Sequence, residues 1–153
     1  MRGHARRDIL PPRMDVRGAQ DLLARIQRDG ALIAGRFGLR YRVIEAERPR
    51  VKRRYGICYA DGTIRIRLRH AVTGQPLKYS SLVNTLCHEL AHLRHFNHGL
   101  RFQRFYGQIL EFARDRGIYQ PGGEPEAAAP PPRRRAPARA SGPEQLTLFE
   151  RAG

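Results

Sequence analysis

Cysteine is scarce in this chain, and its placement excludes two kinds of small protein. The two cysteines, Cys58 and Cys87, lie far apart, and neither belongs to a CxxC pair. Disulfide-stabilised scaffolds and zinc ribbons both need more cysteines at closer spacing. We therefore expect neither a disulfide framework nor a cysteine zinc site, and we expect both side chains to be small buried groups.

Long apolar runs are also missing. The N-terminal segment MRGHARRDILPPRMDVRG contains basic residues but no apolar stretch after them. No later segment approaches the length of a membrane span. We expect neither a secretory signal nor a membrane-spanning helix. The expected location is the cytoplasm of a bacterium, with association with the nucleoid as one alternative.

Lysine is rare, although the chain is strongly basic. Only Lys52 and Lys78 are lysines, yet 29 basic residues oppose 14 acidic ones, which gives a formal charge of +15. Arginine side chains match the oxygens of phosphate groups, so this charge favours a polyanionic partner such as DNA. The alternative is codon bias in a GC-rich genome, which enriches arginine, alanine, glycine and proline together.

Composition divides the chain into four segments. Residues 1–14 are a basic N-terminus that we expect to be flexible. Residues 15–120 carry the apolar periodicity of a folded domain. Residues 121–143, PGGEPEAAAPPPRRRAPARASGP, have almost no apolar bulk and predict a disordered linker. Apolar residues return in the tail at residues 144–153.

Three helices are predicted in the folded segment. The first begins after Asp15, and Gly30 interrupts it in one interpretation. Ser80 or Ser81 can cap the second helix, and Gly117 can end the third. The apolar positions that carry these patterns are Val16, Ala19, Leu22, Leu23 and Ile26 in the first helix, Leu82, Val83, Leu86, Cys87, Leu90 and Ala91 in the second, and Phe102, Phe105, Tyr106, Ile109, Leu110 and Ala113 in the third.

Strand patterns lie between the first and second helices. We expect a strand at Tyr41–Glu45 and a hairpin over Tyr55–Leu68, with Asp61–Gly62 as its two-residue turn. In the second arm apolar residues alternate with arginines, so one face is core and the other is a row of guanidinium groups. That row is either a solvated face of the sheet or a track for nucleic-acid phosphates. Its members are Arg65, Arg67 and Arg69.

A histidine cluster lies in the second predicted helix. The stretch HELAHLRHFNHG at His88–Gly99 holds four histidines and one glutamate. On a helix, His88 and His92 share one face, and Glu89 can reach a water molecule in the open position of a metal bound there. Zinc is favoured because it takes imidazole ligands and polarises water without redox chemistry. A chance grouping of surface histidines is the alternative.

A catalytic zinc ion needs a third protein ligand, and two histidines compete for that role. His95 continues the helical face, but three ligands on one helix would spread their α-carbons over roughly 10 Å along its axis. His98 lies between Asn97 and Gly99, which favour leaving the helix and turning back. A tetrahedral centre needs a ligand that approaches from off the axis, so we predict His98 as the third ligand.

The segment CHELAHLRHFNHGLRF at Cys87–Phe102 resembles the SprT-like and YgjP-like zinc metallopeptidases. In those proteins HExxH is followed by a third histidine in a short N/G-H-G/S-x-x-F turn. The resemblance covers residues 15–120, including the upstream hairpin. It implies an α+β, zincin-like (gluzincin-type) fold with a small antiparallel sheet packed on the HExxH helix. It also implies peptide-bond hydrolysis with one zinc ion on His88, His92 and His98, and with Glu89 as general base.

The chain departs from that family at two points. Gln103 stands where many relatives have tryptophan, which affects packing beside the site more than metal ligation. The cysteine zinc ribbon that some members carry near the C-terminus is absent from this sequence. A second donor for the developing oxyanion is not assigned, and Tyr106 and Arg101 are the candidates.

The tail stretch QLTLF resembles the bacterial sliding-clamp binding motif, usually written QLxLF. A polar anchor and three apolar side chains suit a hydrophobic groove, and the linker supplies reach. The alternative is a turn that packs back on the domain. The linker arginines Arg133, Arg134 and Arg135 either contact DNA or keep the linker soluble. The residues expected to bind the clamp are Gln145, Leu146, Leu148 and Phe149.

These features predict a DNA-associated zinc endopeptidase that acts on DNA-bound or DNA-crosslinked proteins. Two alternatives stay open. One is a general cytosolic metallopeptidase whose charge reflects codon bias alone. The other is a non-catalytic DNA or clamp adaptor in which zinc only holds the fold. The intact Glu89 argues against the adaptor, because a purely structural zinc site has no need of a general base.

Overall fold

The structure, a computed structural model, describes residues 13–122. Within them, three helices and three strands form the α+β fold predicted from the sequence. Most of the predicted N-terminus, nearly all of the predicted linker and the whole tail lie outside the described residues. The elements are α1 (Val16–Phe37), β1 (Val43–Ala46), β2 (Gly56–Cys58), β3 (Thr63–Ile66), α2 (Tyr79–His92) and α3 (Leu100–Asp115).

Helix α1 runs without a break. Asp15 begins it, because its carboxylate accepts a hydrogen bond from the N–H of Gly18 at 2.7 Å. Gly38 ends it in the left-handed conformation, with a φ of 63°. The interruption expected at Gly30 is wrong. Gly30 is buried within the helix, where a β-carbon would lie 2.5 Å from Cδ1 of Ile44, so glycine here allows β1 to pack closely against α1.

The sheet is mixed, which corrects the antiparallel sheet implied by the family resemblance. Its strand order is β1-β3-β2. Strands β2 and β3 pair antiparallel as the predicted hairpin, whereas β1 pairs with β3 in parallel, with Val43 opposite Thr63. The connection at residues 47–55 takes the chain past the position of β3 before the hairpin returns it to the centre. Alternation along a strand specifies which face is buried, and it leaves the direction of the neighbouring strand undetermined.

The hairpin turns through three residues, Ala60–Gly62, rather than the predicted two. The N–H of Tyr59 donates to the carbonyl of Thr63 at 2.8 Å, and the N–H of Gly62 donates to the carbonyl of Tyr59 at 3.0 Å. A two-residue Asp-Gly turn requires positive φ at both positions. Gly62 has a φ of 86°, but no residue other than glycine has positive φ between residues 13 and 122.

Helix α2 lies at the centre of the domain and contacts α1, α3, β2 and β3. The apolar positions predicted for it are all buried. The predicted serine cap is wrong, because the helix begins at Tyr79 and Ser80 is buried in its first turn. Contacts with α1 hold this end instead. The hydroxyl of Tyr79 donates to the carboxylate of Asp29, and the guanidinium of Arg25 lies 3.5 Å from the centre of the tyrosine ring.

Helix α3 packs its predicted apolar stripe against this core. Phe102, Phe105, Ile109 and Ala113 are buried, and the remaining two stripe positions are partly buried. Gly117, with a φ of 70°, follows the end of the helix as predicted, and its N–H donates to the carbonyl of Arg114 at 3.0 Å.

Both cysteines are buried free thiols, as predicted. Burial raises the pKa of Cys58 and of Cys87 to about 12, so each thiol stays protonated at neutral pH. A protonated thiol is a poor nucleophile and a poor metal ligand. Between residues 13 and 122, no helix combines the length and the apolar character that crossing a membrane requires.

Gly62→Ala should lower the free energy of unfolding by about 1–3 kcal/mol, because alanine is strained at positive φ. Its β-carbon would also lie 3.0 Å from the backbone nitrogen of Arg42. Gly107→Ala is the matched control, since a β-carbon there meets nothing within 4 Å. In the interior of α3, alanine should stabilise by up to about 1 kcal/mol. Urea unfolding of both variants measures the difference, and an unchanged midpoint for Gly62→Ala would contradict the strained loop.

Candidate metal centre

The last turn of α2 carries the HExxH motif. His92 and Glu89 are only 2% and 4% exposed, while His88 is partly exposed. The rings of His88 and His92 have their centres 4.8 Å apart. The apolar side chains of α2 are buried in the core on the same helix as these residues. The packing of the helix therefore fixes where its two imidazoles lie.

The chain leaves the helix after His92 and brings His98 back to the same place. The ring centre of His98 lies 4.8 Å from that of His92 and 5.0 Å from that of His88. Phe102, in the first turn of α3, contacts all three imidazoles, with ring centres 4.6 to 5.0 Å away. The short turn between α2 and α3 therefore supplies the third imidazole, and a buried phenylalanine supports it.

The three imidazoles form a donor set that suits a metal ion. One nitrogen from each of His88, His92 and His98 lies within 4.8 Å of the other two. The Nε2 atoms of His92 and His98 are 3.0 Å apart. Two nitrogen ligands of a tetrahedral zinc ion, each about 2.0–2.1 Å from the metal, lie about 3.3 Å from each other. The arrangement therefore fits three protein ligands and one open position.

Burial favours the neutral form of His92 and His98, which is the form that can bind a metal ion. Loss of solvation lowers the pKa of His92 and of His98 below the ordinary value for histidine. Both rings are therefore neutral at pH 7, with a nitrogen lone pair available. Nδ1 of His92 donates to the backbone carbonyl of His95 at 3.1 Å, which leaves its Nε2 for the cluster.

His95 contributes through its backbone and not through its imidazole. Its carbonyl orients His92, whereas its ring lies against Phe105, with centres 5.7 Å apart, and is not part of the three-histidine cluster. Gln103 supports the same turn, because its side-chain amide donates to the carbonyl of His98 at 3.4 Å. The sequence pattern gave no signal for either contact, since both depend on how the turn folds.

One carboxylate oxygen of Glu89 lacks a partner among the residues that the structure describes. Oε1 accepts a hydrogen bond from Nδ1 of His88 at 3.3 Å, while Oε2 is buried and makes no hydrogen bond within the described part of the chain. Leaving a buried polar atom unsatisfied costs about 1–3 kcal/mol, and more for a charged group. The unpartnered oxygen therefore marks a place for a water molecule or a metal ligand beside the three imidazoles.

A cleft of about 300 Å³ opens beside Glu89 and His88. Gly56 of β2 lines it, and a β-carbon at this position would lie 2.6 Å from Cγ2 of Thr85 and 3.1 Å from Cγ of Glu89. Glycine is therefore needed for the strand to approach the HExxH helix this closely. The remaining residues that line the cleft are Tyr55, Asn84, Thr85 and Tyr106.

Of the two candidates for a second oxyanion donor, Tyr106 lines the cleft and the exposed Arg101 does not. The hydroxyl of Tyr106 donates to Oδ1 of Asn84. Burial raises the pKa of Tyr106, which keeps this hydroxyl protonated as a donor. Sequence reasoning missed Asn84, although its position four residues before His88 on α2 was a signal that they share a helical face.

The predicted arginine row does not form one uniform surface. Nε of Arg65 lies 3.1 Å from a carboxylate oxygen of Glu45, so that charge is already paired. Arg67 is buried, and Arg69 is partly exposed; each donates to a backbone carbonyl. Nucleic-acid binding by this row stays a prediction. The other predicted contacts, which lie outside the described residues, are Arg133, Arg134 and Arg135 in the linker and Gln145, Leu146, Leu148 and Phe149 in the tail.

A family comparison fits this arrangement. The model of the WLM domain matches residues 8–123. The chain belongs to the WLM domain family. WLM domains are metallopeptidase-type domains related to the SprT-like proteins, so the predicted metallopeptidase relationship is confirmed at that level. The narrower assignment to the SprT-like or YgjP-like proteins stays a prediction. No curated protein gives a significant sequence match.

Two solved structures share the fold of this WLM domain. Both are Wss1 from Saccharomyces cerevisiae, one of them a mutant. The mutant matches with a TM-score of 0.62 and 20% identity over 72% of this chain and 91% of its own. The other has the same TM-score and identity, over 71% of this chain and 88% of its own. At this identity the likeness establishes a common fold.

His98→Ala should abolish tight zinc binding, whereas His95→Ala should retain it, because only the carbonyl of His95 contacts the cluster. Losing a ligand should cost more than the roughly 10–100-fold in affinity that a supporting hydrogen bond contributes. Mass spectrometry of the purified variants measures zinc content, and competition with a chelating dye gives affinity. Zinc retained in His98→Ala but lost in His95→Ala would make His95 the third ligand.

Proposed function

We propose that this WLM domain is a zinc-dependent endopeptidase that cleaves proteins bound or crosslinked to DNA. The observation that carries the proposal is the convergence of three imidazoles beside a buried glutamate whose second oxygen has no partner within residues 13–122. A structural zinc site is closed by four protein ligands, whereas three ligands leave a position for water. This donor set and its neighbouring carboxylate suit hydrolysis within a zincin-like fold.

Zinc is the metal that the donor chemistry favours. His88, His92 and His98 supply neutral nitrogen ligands, and the buried thiols are too far from ionisation to compete. A zinc ion held there supplies Lewis-acid activation of water and of the substrate carbonyl. The chain contributes the fixed position of the imidazoles, and Phe102 excludes solvent from one side of them.

Glu89 is the residue that moves the proton. Its carboxylate accepts a proton from the attacking water molecule and passes it to the leaving amine nitrogen, so the carboxylate is regenerated when the peptide bond breaks. The hydrogen bond from His88 holds Oε1 in place, and Oε2 has no competing partner in the described domain. The low exposure of Glu89 keeps bulk water away from the transferred proton.

The cleft suits an extended peptide. Strand β2 lies at an edge of the described sheet, and its Gly56 lines the cleft. A substrate can pair with an open strand edge through main-chain hydrogen bonds, which makes side-chain preference loose. Tyr106 and Asn84 line the same cleft, and the tyrosine hydroxyl becomes the donor to the developing oxyanion when it turns from Oδ1 of Asn84 to the substrate.

Charge supports DNA as the partner that recruits substrate. The formal charge of +15 creates a field that attracts polyanions, whatever its evolutionary origin. Proteins bound or crosslinked to DNA are the substrates that such a field would concentrate beside the cleft. The general peptidase and the non-catalytic adaptor remain as outcomes of the experiment that follows.

Glu89→Gln should reduce cleavage about 10³-fold, because it removes the proton acceptor and leaves the three imidazoles in place. Zinc content should be unchanged. The assay follows cleavage of a flexible basic protein, free and crosslinked to single-stranded DNA, with chelator lanes and with Glu111→Gln as a matched control on the exposed face of α3. Faster cleavage of the crosslinked protein supports the proposal. Equal rates would leave a general peptidase, and no cleavage by a zinc-loaded wild type would leave the adaptor.

We also propose that the tail binds the bacterial sliding clamp, and the support for this is the QLTLF sequence alone. Substituting Leu148 and Phe149 by alanine should abolish binding of the chain to a purified clamp, since these side chains would fill its hydrophobic groove. Glu150→Ala is the control outside the motif. Fluorescence anisotropy measures both, and equal binding by the two variants would contradict the proposal.

A further inference from the structure

A second cavity, of about 520 Å³, lies where the chain leaves β1 and β3. We call it the arginine pocket, because it is lined by Arg13, Arg48, Arg67 and Arg69. Its residues come from the segment before α1, from the first turns of α1, from the end of β1 and the connection after it, and from the chain after β3. None of them lines the cleft beside the metal centre.

No carboxylate within residues 13–122 is paired with an arginine of the arginine pocket. The hydrogen bonds of Arg67 and Arg69 go to neutral backbone carbonyls. Among the described residues that line the pocket, the one carboxylate is that of Glu47, which is paired with Arg54 at 2.9 Å and whose side chain is 1% exposed. Arg65, which does not line the pocket, is by contrast paired with the carboxylate of Glu45. The pocket therefore holds surplus positive charge, which favours an anion.

Apart from Glu47 and His70, the rest of the described lining is apolar or small, which narrows the class of anion. Ala46, Val51, Leu68 and Val72 contribute to the walls between the arginines. A bare inorganic anion has no apolar part that could contact such walls. A nucleotide can place its phosphate against the guanidinium groups and its base against the apolar surface. An unpaired base can enter a concave pocket of this volume, and a base inside a duplex cannot.

The arginine pocket lies next to the cleft beside the metal centre, because a residue that lines the pocket contacts a residue that lines the cleft. The N–H of Arg67 donates to the carbonyl of Tyr55 at 2.7 Å, and its guanidinium lies 5.5 Å from the centre of the tyrosine ring. Arg67 lines the pocket, while Tyr55, 62% exposed, lines the cleft. A single strand of nucleic acid held in the pocket would therefore run beside the proposed place of peptide cleavage.

We propose that the arginine pocket binds one nucleotide of single-stranded nucleic acid, with its phosphate on the guanidinium groups and its base against the apolar walls. This site would hold a strand so that an attached protein reaches the cleft. The inference rests on the proposed function for that consequence, while binding itself depends only on the pocket.

The test is binding of a fluorescein-labelled oligothymidylate of about 15 nucleotides to the full chain, followed by anisotropy over a range of salt concentrations. The double variant Arg13→Glu/Arg48→Glu reverses two exposed pocket charges. The control, Arg40→Glu/Arg104→Glu, makes the same change in net charge at exposed positions outside both cavities.

The pocket variant should bind at least about tenfold more weakly with a smaller salt slope, and the control about twofold more weakly. Equal losses in the two variants would overturn the proposal, because charge alone would then explain binding. Arg48→Ala removes one exposed charge without adding a carboxylate, and it should weaken binding about threefold if the double variant does not fold. An unchanged affinity for a folded Arg48→Ala would also count against the pocket.

Two further arms separate the parts of the inference. Polyphosphate of matched charge should bind more weakly than the oligonucleotide, because it has no base for the apolar walls. Equal affinity would remove the base from the proposal and leave a plain anion site. Cleavage of a DNA-free basic protein by the wild-type chain reports on the peptidase alone. Failure to cleave either this protein or its DNA-crosslinked form, with pocket-dependent binding intact, would overturn the proposed function and leave the nucleotide site standing.

Discussion

The burial of α2 is the constraint on which the rest of this domain depends. The helix contacts α1, α3 and two strands, and Leu86 and Leu90 in its centre have no exposed surface. Burial fixes its rotation about its own axis, because turning the helix would expose these side chains and cost about 1.5–3 kcal/mol for each. The same rotation sets the direction of His88, Glu89 and His92. The metal centre is therefore positioned by hydrophobic packing before any ligand binds.

The position of β2 follows from the same helix. A strand can lie this close to α2 only because Gly56 has no side chain, and the approach places an open sheet edge beside Glu89. The proposed peptide-binding edge, the proposed general base and the three-histidine cluster thus share one wall. Their proximity results from close packing at a single glycine, together with the short turn that carries His98.

The arginines of this chain have different roles at different positions, depending on whether each one has a partner. Arg65 and Arg54 are paired with carboxylates, and Arg25 lies over an aromatic ring, so these residues stabilise the fold locally. The arginines of the second cavity have no such partners among residues 13–122, and they surround apolar walls. Composition predicts a polyanion partner for the whole chain, but only the pairing of individual side chains indicates which surface is free to bind it.

Features that depend on local spacing follow from the amino-acid sequence alone. Helical periodicity predicts the buried face of α2, HExxH puts two imidazoles on one turn, and Asn97 and Gly99 predict the return of His98. Tertiary structure alone decided the parallel pairing of β1 with β3, the continuation of α1 through Gly30, and the contact of His95 with His92. These features depend on groups that are distant in sequence or on the path of a turn. Local patterns encode which side of an element is apolar, and only packing decides what lies against it.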